Sequence, residues 1–187
     1  MGKLIYGMIQ SLDGYVEDET GNFSWGAPDD AELHTYLNEL TASVGTHLYG
    51  RRMYDTMVFW ESAHELPDPP PYIAAWTRMW QAADKIVYSR SLTEPRSKRT
   101  RIERAFDVGA LRTLKESAST DLTISGPELA AQALRAGLVD ELQRITYPIV
   151  VGGGKAFLPA GVKLDLRLLD ERRCESGVVV LRYAVRG

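Results

Sequence analysis

The chain has 187 residues, 44% hydrophobic and 25% charged, proportions that exclude collagen-like, disordered and disulfide-framework classes. A formal charge of −3 supplies no overall basic field, so neither nucleic acid nor an anionic membrane is expected as a partner. The single cysteine, Cys174, has no internal disulfide partner, and a reducing cytoplasm is the expected compartment.

Lys3 to Gln10 is a dense apolar run of strand length that ends at the turn-like Ser11-Leu12-Asp13-Gly14. It is too short for a signal peptide, and no run of about eighteen apolar residues follows, so neither export nor a membrane span is expected. Leu33, Tyr36, Leu37, Leu40 and Val44 recur at helical spacing and predict an amphipathic helix over 29–43. A strand over 46–49 then ends at Gly50, and a short helix over 51–59 begins there. The Pro-rich segment 67–71 precedes an aromatic helix over 72–81 and a third strand over 85–88. Arg96 to Arg104 reads as a solvated basic loop with no assigned role. A helix over 108–117, a strand over 121–124 and a helix over 127–136 follow, the last with Pro127 in its first turn and Gly137 just past its end. Strands over 141–147, 164–169 and 178–185 close the chain. This order predicts one α/β domain over 1–187, with a mostly parallel sheet and antiparallel carboxy-terminal strands. The apolar last strand, read as an unpaired edge, predicts homodimerisation.

Several chemistries fail on residue type or spacing. Gly152-Gly153-Gly154-Lys155 lacks both the first glycine of a phosphate loop and the Ser or Thr that would hold magnesium, and it reads as an irregular connection bordering a pocket. His34, His47 and His64 have no ligand spacing, so no metal is expected. There is no Gly-x-Ser-x-Gly elbow for a serine hydrolase, and no His-x-Glu with a following Pro-Cys-x-x-Cys for a zinc deaminase.

Three strand ends carry small or basic residues: Gly50-Arg51-Arg52, Ser89-Arg90-Ser91 and Ser125-Gly126-Pro127. In an open α/β sheet, ligands dock in the crevice outside the carboxyl ends of the strands. Glycine permits close backbone approach there, and arginine forms paired charge-assisted bonds to phosphate. Together with Ser11 to Gly14, Leu48 to Tyr54, Val87 to Leu92, Ile124 to Leu129 and Ala136 to Leu142, these segments resemble the dihydrofolate reductase-like superfamily. Within it they resemble the branch containing the reductase domain of the bifunctional riboflavin biosynthesis protein.

That resemblance implies a three-layer α/β/α fold, an NADPH cofactor and reduction of a small nitrogen heterocycle. The reaction it implies first is 5-amino-6-(5-phosphoribosylamino)uracil reduction, ahead of dihydrofolate reduction. A nucleotide-binding homodimer without turnover is the rival reading. By the same resemblance Gly50, Arg51 and Arg52 face cofactor phosphates, and Ser89 and Arg90 hold the adenosine ribose and its 2′-phosphate. Ser125, Gly126 and Pro127 lie beneath the pyrophosphate and nicotinamide. Met53 stands where the family has Thr, and Ser125 where it has a first glycine. Trp25 and Asp30 repeat the folate-reductase spacing of a tryptophan and the carboxylate that supports protonation, a role for which burial would raise the Asp30 pKa toward neutrality. Asp30 equally suits a helix cap, and Asp29 could exchange roles with it. Thr146 matches a folate-site threonine, and Trp25, Phe59, Trp60 and Tyr72 suit either ring stacking or core packing.

Overall fold

Apolar runs rich in Leu, Ile and Tyr need cover on both faces, and they set the middle of the molecule. The computed structural model describes residues 1–26 and 30–186. In chain order the elements are β1 (Leu4–Gln10), β2 (Tyr15–Glu17), α1 (Ala31–Thr41), β3 (Val44–Gly50), α2 (Arg51–Met57), α3 (Pro71–Ala82), β4 (Asp84–Tyr88) and β5 (Thr100–Glu103). They continue with α4 (Val108–Ser117), β6 (Asp121–Ser125), α5 (Pro127–Arg135), β7 (Glu141–Thr146), β8 (Lys155–Ala156), β9 (Asp165–Arg173) and β10 (Val179–Arg186).

Eight strands form one sheet in the order β5-β4-β3-β6-β1-β7-β10-β9, while β2 and β8 pair separately. The pairings from β5 across to β7 are parallel, and β10 is antiparallel to both of its neighbours. On one face Leu4, Tyr6, Leu122, Ile124 and Leu142 pack against Leu129, Ala130, Ala133 and Leu134 of α5 and Leu111 of α4. On the other, Ile145 and Val180 pack against Leu33 and Tyr36 of α1. The result is the expected three layers. Pro127 opens α5, where its missing N–H costs nothing, and Gly137 follows the helix at φ 65°.

Two expectations change. The basic stretch is not all loop: Thr100–Glu103 pairs in parallel with β4, Lys85 opposite Thr100 and Val87 opposite Ile102. Four residues with one apolar side chain, Ile102, carry too weak a periodic signal to stand out, and Arg101 and Glu103 cover that edge with an ion pair at 3.1 Å. The last strand is not an edge, because β10 lies between β7 and β9. The free edge is β9, whose nine residues are all exposed. It overlaps the strand expected over 164–169, and its register with β10 slips at Arg182/Tyr183, a bulge that bends the β9–β10 ribbon.

Arg182 ties that ribbon to the rest of the sheet. Its Nε donates to the Glu141 carboxylate at 2.9 Å, and Gln143 Nε2 donates to the same oxygen at 3.0 Å. Glu141 is 1% exposed, so removing the cation strands a buried charge. Arg182→Met is expected to lower the unfolding free energy by about 3–5 kcal/mol. In urea titrations followed by tryptophan fluorescence, adding Glu141→Gln to that variant should recover most of the loss.

Candidate active site

Because β1, β3, β4, β6 and β7 run in parallel, their carboxyl ends lie along one side of the sheet and bring distant segments together. Gly50 ends β3 with an ordinary φ of −73°, and an added Cβ there would meet nothing within 4 Å. Nothing inside the protein demands glycine at that position, which leaves open space for a ligand to approach the backbone. Gly126, after β6, caps α5 at φ 95°, a conformation other residues resist. Met53 flanks it, 3.8 Å from where a Gly126 Cβ would lie, and packs on the cluster of Tyr49, Tyr54, Val87 and Leu92. Pro127 is the first residue of α5, and Ser125 is half-buried beside Gly126.

The candidate cations differ in their engagement. Arg52 and Arg90 are exposed, and among the described residues their guanidinium groups make no hydrogen bond or ion pair. Arg51 donates through Nε to both Asp55 oxygens, at 2.9 and 3.2 Å, and through Nη1 to Ser91 Oγ at 3.3 Å. This links the end of β3 to the loop after β4. Ser89 is buried, and its hydroxyl accepts the Leu92 N–H at 3.0 Å, so it shapes the turn from inside. Arg104, which no motif singles out, donates to the Ser89 and Leu92 carbonyls at 3.1 and 2.6 Å and fixes the same turn.

A second group gathers between β1, β7 and the start of α1. Asp30 caps α1, Oδ1 accepting the Leu33 N–H at 2.9 Å. Asp29 lies outside the described residues. The Trp25 ring meets Tyr147 edge-on at 6.3 Å, and Trp25 packs on the same cluster as Leu33 and Cys174. Asp30 Oδ2 and Tyr147 Oη are both buried and, among the described residues, have no hydrogen-bond partner. Orphaned polar atoms of opposite hydrogen-bonding character are costly unless something meets them.

The protonation states are distinct. Burial pushes the Asp30 carboxyl up, but the Leu33 N–H, the nearby Ser176 hydroxyl and His34 outweigh it, and the net shift is downward. The expected rise toward neutrality is therefore reversed: Asp30 is a carboxylate at neutral pH. Burial, followed by the Asp30 charge, pushes the Tyr147 phenol up to about 12, so it keeps its proton.

Thr146 is not part of this group. Alternation along β7 puts Ile145 and Tyr147 on the α1 side and Thr146 on the other. There the Gln10 amide oxygen accepts from Thr146 Oγ1 at 3.1 Å and from Arg144 Nε at 2.6 Å. The hydroxyl facing Asp30's side of the sheet belongs to its neighbour Tyr147. Of the aromatic candidates, Phe59 is exposed and stacks edge-on with Trp60, Trp60 meets Trp76, and Tyr72 stacks on His34 at 5.4 Å. They form an aromatic layer along α3 that is distinct from the Trp25 group.

The Ser11 to Gly14 turn proves to be a clamp. Asp13 accepts the Val151 and Gly152 N–H groups at 3.2 and 2.8 Å, and Leu12 N–H donates to the Ile149 carbonyl at 2.7 Å. The triple glycine is thereby held at the crevice rim, and Gly154 is obligatory because a Cβ would lie 2.0 Å from the Glu17 carbonyl oxygen. Lys155 bridges Glu17 at 2.9 Å and Glu128, in the first turn of α5, at 3.2 Å. A separate cleft of about 490 Å³, walled by Leu134, Val139, Val162 and Val185, lies at the opposite strand ends and holds none of the candidate site residues.

Fold and site together define a three-layer α/β protein of the dihydrofolate reductase-like fold. The chain belongs to the RibD C-terminal domain family, whose model matches residues 2–180. It is 27% identical to YyaP of Bacillus subtilis, an uncharacterised protein, over 99% of this chain and 96% of that one. A riboflavin biosynthesis protein structure from Shewanella sp. PV-4 superposes with a TM-score of 0.76 at 20% identity, covering 99% of each chain. The Thermotoga maritima diaminohydroxyphosphoribosylaminopyrimidine deaminase/5-amino-6-(5-phosphoribosylamino)uracil reductase gives 0.67 at 13% identity, covering 99% of this chain and 57% of that one. Dihydrofolate reductase from Enterococcus faecalis, solved with NADP(H), gives 0.61 at 14%, covering 100% and 98%.

The downward shift at Asp30 fixes the sign of a pH effect. A carboxyl whose pKa is lower folded than unfolded stabilises fully above its unfolded value, near 4, and loses that contribution as pH falls through the folded value. Asp30→Ala is expected to cost about 0.5–2 kcal/mol at pH 7 by removing the α1 cap. Denaturant titrations at pH 7 and pH 3 should find the gap to the parent protein smaller at the lower pH.

Proposed function

We propose that the chain is an NADPH-dependent reductase of a small nitrogen heterocycle, with ribosylaminopyrimidine reduction ahead of dihydropterin reduction. The observation that carries the reading is Gly50, a glycine with ordinary dihedrals and open space where its side chain would be, beside the arginines of the crevice. Family membership supports a riboflavin-type reaction. The crevice suits the cofactor: Gly50 and Gly126 admit close backbone approach, Arg51, Arg52 and Arg90 offer charge to phosphates, and Ser89, Ser125 and Pro127 shape the turns between them. NADPH, when bound, supplies the hydride.

The protein's own part in the chemistry is assigned to Asp30 and Tyr147. Asp30, ionised, accepts from an N–H of the substrate and favours the positive charge of the protonated C=N bond that takes the hydride, in a dihydropterin ring or in an imine-like sugar intermediate. Tyr147 donates its proton in a hydrogen bond to an acceptor atom of the same substrate. Trp25 borders this pocket. Thr146 acts only through the Gln10 and Arg144 network. In NADPH oxidation assays with a panel of ribosylaminopyrimidines and dihydropterins, turnover is expected with one class. Asp30→Asn and Tyr147→Phe should each slow it by about a hundred-fold, with NADPH affinity within a few-fold of the parent. Tight NADPH binding with no turnover on any panel member would favour the rival, a nucleotide-binding module.

We also propose a homodimer, built on β9 rather than β10. Leu166, Leu168 and Leu169 are 37%, 47% and 38% exposed on an unpaired edge strand, an arrangement that invites association with a second copy. Light scattering should give twice the chain mass at micromolar concentration, and Leu168→Lys should shift it toward the monomer.

A further inference from the structure

Asp55 stands four residues after Arg51 on α2, and its carboxylate is the shared anion of two guanidinium groups. Arg51 Nε reaches both of its oxygens, and Arg96 Nη2 reaches Oδ1 from the loop after β4. Arg96 is fixed rather than adventitious. Its backbone N–H donates to Tyr54 Oη at 2.9 Å, the same hydroxyl contacts Ser97 Oγ at 2.8 Å, and the Arg96 guanidinium lies over the Tyr54 ring at 5.5 Å. Tyr54 is itself fully buried. Ser91 holds the remaining arm of Arg51. Two guanidinium groups therefore converge on one carboxylate, and a hydroxyl steadies one of them, between the end of β3 and the loop after β4. The polar part of that arrangement suits a phosphate monoester, except that the protein's own carboxylate already occupies it.

Resting on the NADPH reading above, we propose that Asp55 sets the cofactor preference of this site. Its carboxylate holds Arg51 and Arg96 in place of a phosphate dianion, so that a 2′-phosphate binds only by displacing it. Two cations and one carboxylate leave a net charge of +1, and the incoming dianion must face Asp55 as well as the arginines. NADH brings a ribose hydroxyl to the same place. It suffers no such repulsion, and Asp55 is free to accept that hydroxyl's proton in a hydrogen bond. Asp55 thus narrows a preference for NADPH that the two arginines alone would make steep. Arg96, in a stretch whose composition suggests only solvation, becomes the second phosphate-reading residue.

The test is calorimetric titration of the parent chain, Asp55→Asn and Arg96→Met with NADPH, NADH, 2′,5′-ADP and 5′-AMP at two salt concentrations. Asp55→Asn is expected to tighten NADPH and 2′,5′-ADP by about ten-fold and to leave NADH and 5′-AMP within two- to three-fold. Arg96→Met should weaken NADPH and 2′,5′-ADP by about ten-fold with little effect on NADH. All of these differences should shrink at high salt. Weaker NADPH binding by Asp55→Asn would make Asp55 a support for the arginines and overturn the proposal, as would no change. Asp55→Ser, which also removes the charge, distinguishes charge from side-chain shape: both variants must tighten NADPH. Failure of the parent and every variant to bind either dinucleotide overturns the cofactor reading itself, whereas binding by the parent with no Asp55 effect overturns only this inference.

Discussion

Parallel pairing of β1 with β6 on one side and β7 on the other is the constraint from which the site follows. Leu4 to Tyr6 sit opposite Leu122 to Ile124, and Ile5 to Gln10 opposite Glu141 to Thr146. Parallel neighbours need crossovers, so every strand end along this side of the sheet is followed by a turn that leads away to a helix or loop. The turns after β3, β4 and β6 then lie in a row although they are far apart in the chain. Burial of β1 on both faces holds the row in place: Tyr6 stacks on Phe157 at 4.5 Å and donates its hydroxyl to the Phe157 carbonyl at 2.7 Å, binding the rim loops to the sheet.

On that frame the crevice divides electrostatically. Its β3–β4 side is cationic, with Arg51, Arg52, Arg90 and Arg96 at the end of β3 and in the loop after β4, and the Asp55 carboxylate paired with two of them. Its β7–α1 side is nearly apolar, with one ionised carboxylate and one phenol, of which Asp30 Oδ2 and Tyr147 Oη meet no partner among the described residues. The first side suits a nucleotide rich in phosphate, the second a flat ring with both donors and acceptors on its edge. The β9–β10 turn also participates, since Glu32 receives both Arg172, at 3.1 Å, and the Glu175 N–H, at 2.9 Å, which fixes that turn beside the Asp30 cap.

Local rules carried much of this. Helical spacing of Leu33, Tyr36, Leu37 and Leu40 marks α1, Pro127 and Gly137 bracket α5, and Gly50 ends a strand, because each depends on residues within a turn or two of one another. The alternation of strand and helix predicted an α/β protein with a mostly parallel sheet for the same reason, and the family resemblance implied its three layers. Edge position escaped: β5 is short and charged and reads as loop, while β9, expected as a strand over 164–169, carries no local sign that it and not β10 is the edge.

The tertiary structure alone decided which side chains meet. Arg96 and Asp55 are 41 residues apart, and only the pairing of β3 with β4 brings them together. Thr146 and Tyr147 are adjacent, yet a strand sends consecutive side chains to opposite faces, so the hydroxyl that shares a face with α1 is Tyr147's and not the one its residue type suggested. The protonation of Asp30 depended on the Leu33 N–H three residues on, which a helix cap implies, and on the Ser176 hydroxyl, which lies beyond the reach of local sequence. The sequence determined the elements and the row of strand ends. Register, facing and charge partners were fixed by long-range packing, because those contacts join residues that no short window holds together.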